Sequence, residues 1–334
     1  MDEPNSSASE PGLTTPAQIP AGAPLTAKPE SAPLATKVFL GPEGLRSGWS
    51  LLLYLLIGAA IVTGFSLLRH LQHHKMPLLW GFLIAEGLSL IAAVVPAFIM
   101  ARIEKRPFGA YGLPRQGAFG KPFWIGALWG IVALTVLMLI MRAAGAFYFG
   151  SLALHGVRIL KFAAYWAVMF TLVGLFEEFL LRGYTQFTLS RGIGFWPTAI
   201  LLSFAFGAIH LRNDGESYVG ALGAAIIGLF FCLTLRRTGN LWFAVGLHMS
   251  WDWGETFLYS VPNSGLAAPG HLLNPSFQGS IWLTGGTVGP EASVFVFVVM
   301  GLMWLLFHFI YPPTQQKSVQ AGLAPPATSA AYQE

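Results

Sequence analysis

The sequence predicts an all-α polytopic membrane protein of about eight transmembrane helices. Three observations carry this. The chain is 54% hydrophobic and only 10% charged, whereas soluble domains run at about 25% charged. Its mean hydropathy is positive. Several apolar runs reach about 20 residues, the length that crosses a hydrocarbon core of about 30 Å.

The spans are expected at about residues 48–68, 78–101, 122–146, 161–189, 196–211, 217–235, 241–261 and 292–311. Trp49, Trp80, Trp124, Trp196 and Trp242 fall near their ends, where interfacial aromatics sit. Residues 1–46 are rich in Pro, Ala, Ser and Thr and poor in large apolar groups. They bury too little surface to offset chain entropy, so a disordered tail is expected there. The same reading holds for 312–334, leaving 47–311 as the membrane domain. No short apolar core of a cleavable signal peptide is present in 1–46.

The single cysteine, Cys232, cannot form an intrachain disulfide and says nothing about redox compartment. The net charge of +4 calls for no nucleic-acid partner, because the basic residues sit mostly at span ends. With eight spans and a cytoplasmic N-terminus, twelve Lys and Arg lie on the cytoplasmic side and six on the other. That bias favours both termini inside. The loop 262–291 carries too much Gly and Pro for a regular helix. Its length makes it functional or disordered, and Trp282 and Leu283 suggest that it packs.

Ionisable groups at membrane depth are costly and are functional candidates by default. In "GLFEEFLLRGYTQF", Glu178 and Arg182 are four residues apart and share a helix face. They can neutralise each other. Glu177 is turned about 100° away and is left without that partner. The stretch therefore divides into a structural ion pair, Glu178 and Arg182, and one free carboxylate suited to general-base work. His210 ends "SFAFGAIH". His248 and Asp252 share a face in "HMSWDWGE", with Glu255 one turn beyond. At 1.5 Å per residue, Glu177 and His210 lie about 18 and 21 Å from the inner side, and His248 about 10 Å. Glu86 stands alone in the second span and reads as interhelical hydrogen-bond glue. The His70, His73 and His74 run reads as a solvated interfacial loop. Arg142 is placed to snorkel.

One carboxylate and two histidines suit peptide hydrolysis by activated water, in either of two forms. Glu177 and His210 can hold the water directly, with His248 stabilising the oxyanion. Alternatively His210, His248 and a carboxylate, from Glu177 or Asp252, bind zinc and the metal lowers the pKa of water. Neither HExxH nor HxxEH is present.

"EEFLLR", "FGAIH" and "HMSWD" match, in order, the EExxxR, FxxxH and HxxxN/D motifs of the CPBP intramembrane proteases, which comprise CAAX proteases and bacteriocin-processing enzymes and are also called the Abi family. "RPFGAYGLPR" and "LTGGTVGPE" also resemble bacterial members, so the resemblance covers about 105–310. It implies helices around a polar, water-filled cavity, and a peptide or lipid-anchored protein as substrate. Carried over, Glu177 activates water with His210, Glu178 and Arg182 are structural, and His248 stabilises the oxyanion. Asp252 stands where the prenyl-protein endopeptidases usually have Asn. An ionised carboxylate cannot donate to an oxyanion, so Asp252 is expected to orient His248 or to bind metal. The setting implied is a bacterial plasma membrane. A non-catalytic immunity or regulatory protein that binds a peptide in the same cavity is the alternative. A transporter is a third class, although no paired broken helices are seen.

Overall fold

The computed structural model describes residues 34–41, 44–71, 77–213, 215–266 and 269–313. The chain divides into two units, Met1–Phe39 and Leu40–Glu334. In the first unit the described part is the short helix α1, Leu34–Phe39. Most of the expected N-terminal tail, 1–33, and most of the C-terminal one, 314–334, lie outside the described residues, as do His73 and His74.

The second unit begins with two short antiparallel strands, β1 (Leu40–Gly41) and β2 (Gly44–Leu45). Helices then dominate: α2 (Ser47–Leu71), α3 (Leu78–Ile103), α4 (Lys121–Ala143), α5 (Val157–Glu178), α6 (Gln186–Ile193), α7 (Phe195–His210), α8 (Tyr218–Thr238), α9 (Trp242–Trp253), the one-turn α10 (Ile281–Thr284) and α11 (Phe295–Ile310). Strand β3 (Phe147–Leu152) pairs antiparallel with β4 (Leu273–Phe277), Phe147 opposite Phe277. No sheet among the described residues closes on itself.

Each of the eight expected spans coincides with a helix. Five are long and apolar enough to cross a membrane: Ser47–His70, Leu78–Ile103, Lys121–Ala143, Val157–Ile193 and Tyr218–Thr238. Of the other three, α9 and α11 are shorter than the sequence suggests, and α7 keeps the expected length of 16 residues. Helix α7 starts only after Gly194, which takes a left-handed φ of 86°, and ends in the His210–Asn213 turn. Helix α9 passes into a π-helical turn, Gly254–Tyr259, that stops at Ser260 with φ 59°. The exposed surface is apolar: Trp124 is 63%, Phe204 65% and Phe309 72% exposed. A helix that is hydrophobic all round belongs in a core or in lipid, and these outer faces have no core to enter. The protein is an integral membrane protein.

One packing contact sets the frame. Helix α4 carries Gly126 and Gly130, a small-xxx-small pair that lets two backbones approach. A Cβ at Gly126 would overlap the Phe243 carbonyl, and one at Gly130 would overlap the Leu247 carbonyl and Ser250 Oγ. On the facing helix α9, a Cβ at Gly246 would overlap the Phe123 carbonyl. Helix α9 is thus locked against α4, and its other side packs on α5, where Gly174 faces the Val245 carbonyl and His248 Cβ. Phe243 and Leu247 of α9 join a core with Leu134, Phe230 and Phe307. Val245 and Met249 join another with Trp166, Phe170 and Tyr184.

The α3 end is held by Glu104, whose carboxylate accepts from Tyr111 Oη (2.8 Å), Tyr184 Oη (2.9 Å) and Arg191 Nη2 (3.1 Å). Two placements differ from expectation. Trp242 is buried, its indole donating to the Pro114 carbonyl at 3.1 Å, and is no interfacial aromatic. In the long loop Leu283 packs on the core, but Trp282 is 58% exposed. Arg142, expected to snorkel, lies 4.7 Å from the Tyr148 ring centroid.

Candidate active site

Helix α5 ends at the paired glutamates. The backbone then continues as a π-helical turn, Phe179–Thr185, broken at Gly183 (φ −84°, ψ −116°). A Cβ at Gly183 would meet the Phe179 ring at 2.7 Å, so glycine permits the break. The i,i+4 pairing survives it: Arg182 Nη1 donates to Glu178 Oε1 at 3.1 Å, and both side chains are completely buried.

A buried guanidinium needs more than one carboxylate oxygen. The remainder of Arg182 lies against two aromatic faces, 4.4 Å from the Phe206 centroid and 5.4 Å from that of Phe231. Room for it is made by Gly228 on α8, where a Cβ would meet Arg182 Nη2 at 2.5 Å.

Glu178 does more than pair with Arg182. Its Oε1 also takes a hydrogen bond from His248 Nδ1 at 3.0 Å. A carboxylate oxygen of this kind accepts, so Nδ1 carries the proton. Nε2 of His248 is then left between Glu177 Oε2 (3.7 Å) and Asp252 Oδ2 (3.5 Å). The expectation that Asp252 orients His248 is therefore refined, because the close contact that fixes the ring comes from Glu178. Glu177 is the solvent-accessible member, 28% exposed, and Glu178 the enclosed one.

His210 is the last residue of α7. Its Nδ1 lies 2.9 Å from the Phe206 carbonyl. A carbonyl only accepts, so Nδ1 again donates and Nε2 keeps its lone pair in the neutral ring. The ring meets Phe206 edge-on at 4.5 Å. Glu177, His210, His248 and Asp252 all line one cavity of about 560 Å³, within the roughly 300–1,000 Å³ of small-molecule sites. Helices α5, α7 and α9 thus bring the three motifs together.

The cavity also takes in groups that no local pattern places there. Glu86 of α3 lines it, so the reading of Glu86 as isolated glue does not describe its position. Glu216, Asn263, Ser264 and Glu291 line it too. The Ser264 N–H and Oγ both donate to Glu291 Oε2, at 2.9 and 2.7 Å, tying the two ends of the long loop together. Glu216 lies between α7 and α8, and its Oε1 accepts from the Ser217 N–H at 2.8 Å. Burial pushes its carboxyl above the usual range; Glu291 adds to this, while the Ser217 N–H and His210 oppose it. No sequence feature marks these loop residues, since only tertiary contact brings them to the motifs. Glu255, one turn past Asp252, is completely buried and does not line the cavity. Among the described residues no group of three or more His, Cys, Asp or Glu side chains is arranged to hold a metal ion.

Residues 159–254 match the family model described as type II CAAX prenyl endopeptidase Rce1-like. The matched segment contains all three motifs, though not the long loop or the segment before α4. It supports a CPBP/CAAX intramembrane protease family, and so a CAAX-type intramembrane protease in general terms acting on a membrane-associated protein or peptide. Neither the comparison with curated proteins nor that with solved structures returns a match.

Proposed function

We propose that this chain is an intramembrane endopeptidase in which Glu177 and His210 activate water and His248 stabilises the oxyanion. The observation that carries the reading is the convergence of Glu177, His210, His248 and Asp252 on one cavity, from three helices. Glu177 removes a proton from water as the oxygen attacks the scissile carbonyl. His210, with its Nε2 lone pair, accepts the other water hydrogen and orients the molecule. The carbonyl oxygen gains negative charge, and His248 as the imidazolium, with Nδ1–H on Glu178 and a second N–H at Nε2 beside Glu177 and Asp252, donates to it from Nε2. Glu177 then returns its proton to the leaving amine as the C–N bond breaks. Glu178 holds His248 from behind. Asp252 lies beside the same Nε2 and keeps charge balance there. Among the described residues no three side chains are arranged to hold a metal ion, and the proposed steps use these residues alone.

The Lys and Arg bias supports both termini in the cytoplasm, and the resemblance to bacterial members supports a bacterial plasma membrane as the setting. The test uses purified protein in liposomes with two internally quenched peptides. One ends in a farnesylated CAAX sequence and the other is the same peptide without lipid. Mass spectrometry locates the cut. Cleavage by the wild type that disappears in Glu177→Gln is the expected result. Equal cleavage by both proteins overturns the reading.

A further inference from the structure

We propose that Phe231 of α8 is a positioning residue for His248, a part of the hydrolytic site that lies outside all three motifs. The inference rests on the reading of the cavity as a peptide-hydrolysing site.

The imidazole of His248 and the ring of Phe231 are nearly parallel, 15° apart, with centroids separated by 5.5 Å. That is an offset stack. The ring plane of His248 is thereby fixed by an aromatic neighbour, while its Nδ1 is fixed by Glu178. One hydrogen bond sets where Nδ1 points but leaves the ring free to roll about that contact. The stack removes the roll. Together they determine where Nε2 sits, and Nε2 is the atom placed at the oxyanion.

Phe231 is itself held. It is 2% exposed, and the guanidinium of Arg182 lies 5.4 Å from its centroid. Arg182 therefore supports His248 twice, through Glu178 and through Phe231. The same guanidinium lies against Phe206, whose carbonyl and ring both contact His210. One buried cation thus braces the neighbours of both histidines. Helix α8 serves this brace with a face of two residues three apart: Gly228 leaves space for the guanidinium, and Phe231 supplies the ring.

The test compares wild type, Glu177→Gln, Phe231→Leu, Phe231→Met and Phe231→Tyr. Leucine and methionine keep an apolar side chain but remove the aromatic face, and tyrosine restores it. Each protein is assayed with the farnesylated quenched peptide. The His248 ring protons are followed by NMR of ¹³C-histidine-labelled protein, assigned with His248→Gln. Expected are a kcat lowered roughly 10- to 100-fold in Phe231→Leu, with KM little changed, and recovery in Phe231→Tyr. The His248 ring signals should lose the shielding of the stacked ring in Leu and Met and regain it in Tyr. A merely structural role would lower the melting temperature without this pattern. Wild-type kcat in a folded Leu or Met variant overturns the proposal, as do unshifted His248 signals. If the wild type cleaves nothing, the hydrolase reading fails separately, and the ring signals alone decide whether Phe231 holds the imidazole.

Discussion

The carboxylate of Glu178 holds the imidazole of His248 at 3.0 Å across two helices, 70 residues apart in the chain. The same oxygen accepts from Arg182 at 3.1 Å. An ion pair that could have been only structural therefore also holds the His248 ring at the proposed reacting centre. The two adjacent glutamates divide by exposure: Glu178 is sealed at 0% and Glu177 is open to the cavity at 28%.

That division predicts opposite behaviour for neighbouring substitutions. Glu178→Ala leaves a buried Arg182 without its carboxylate, and breaking such a pair from one side costs about 3–5 kcal/mol. A large fall in melting temperature and in expression is expected, with loss of cleavage. Glu177→Gln changes one atom on a partly exposed side chain. It should melt like the wild type and cleave nothing. Thermal unfolding followed by the peptide assay checks both, and equal folding defects would remove the distinction between the two glutamates.

The α4–α9 contact makes a second prediction. Gly246 sits two residues before His248, against the Phe123 carbonyl. Gly246→Ala forces α9 away from α4, and overpacking of this kind costs about 1–3 kcal/mol. Because α9 carries His248 and Asp252, cleavage should fall further than stability alone explains. Gly301 of α11 is the control, because a Cβ there would meet nothing within 4 Å. Gly301→Ala should retain wild-type melting and activity.

Glu216 gives a pH signature. Its carboxyl is held above the usual range by burial, with Glu291 adding to it. A folded-state pKa above the unfolded one means that the native protein binds the proton more tightly. The favourable contribution is present in full below the unfolded value and is lost as pH rises through the folded one. Glu216→Gln removes the ionising group and, through its amide oxygen, keeps an acceptor for the Ser217 N–H. The variant should melt above the wild type at neutral pH, and the gap should close as pH falls below the ordinary carboxylate range. Melting curves at several pH values measure this. A gap that widens in acid contradicts the assignment.

Much of the frame was legible because single-helix rules govern it. Apolar length located the helices, and i,i+4 spacing paired Glu178 with Arg182. The same spacing brought His248 and Asp252 within 3.5 Å. What the spacing could not show was the third dimension. Nothing local in α8 announces that Gly228 and Phe231 enclose an arginine from another helix. Glu86 looked solitary because its neighbours across the cavity lie on other helices. The π-helical turns after Glu178 and after Trp253 escaped notice because apolar periodicity does not register one extra residue per turn. Trp242 was misplaced for a related reason: an indole near a span end suits the interface, but here the Pro114 carbonyl supplies its partner inside the fold.

The metal question yields the last prediction. Both histidines spend Nδ1 on protein acceptors, His210 on the Phe206 carbonyl and His248 on Glu178. Each has only Nε2 left to offer, and no three donors among the described residues form a metal-binding group. Hydrolysis by Glu177 and His210 alone then predicts that dialysis against a chelator leaves the rate of peptide cleavage unchanged. Elemental mass spectrometry of the active protein should find no stoichiometric zinc. The opposite result has a distinct form: near-stoichiometric zinc in the wild type, lost in both His210→Ala and His248→Ala, with activity restored on adding zinc to chelated protein. That outcome would make Asp252 a ligand and its carboxylate, where an amide was expected, a requirement of the metal.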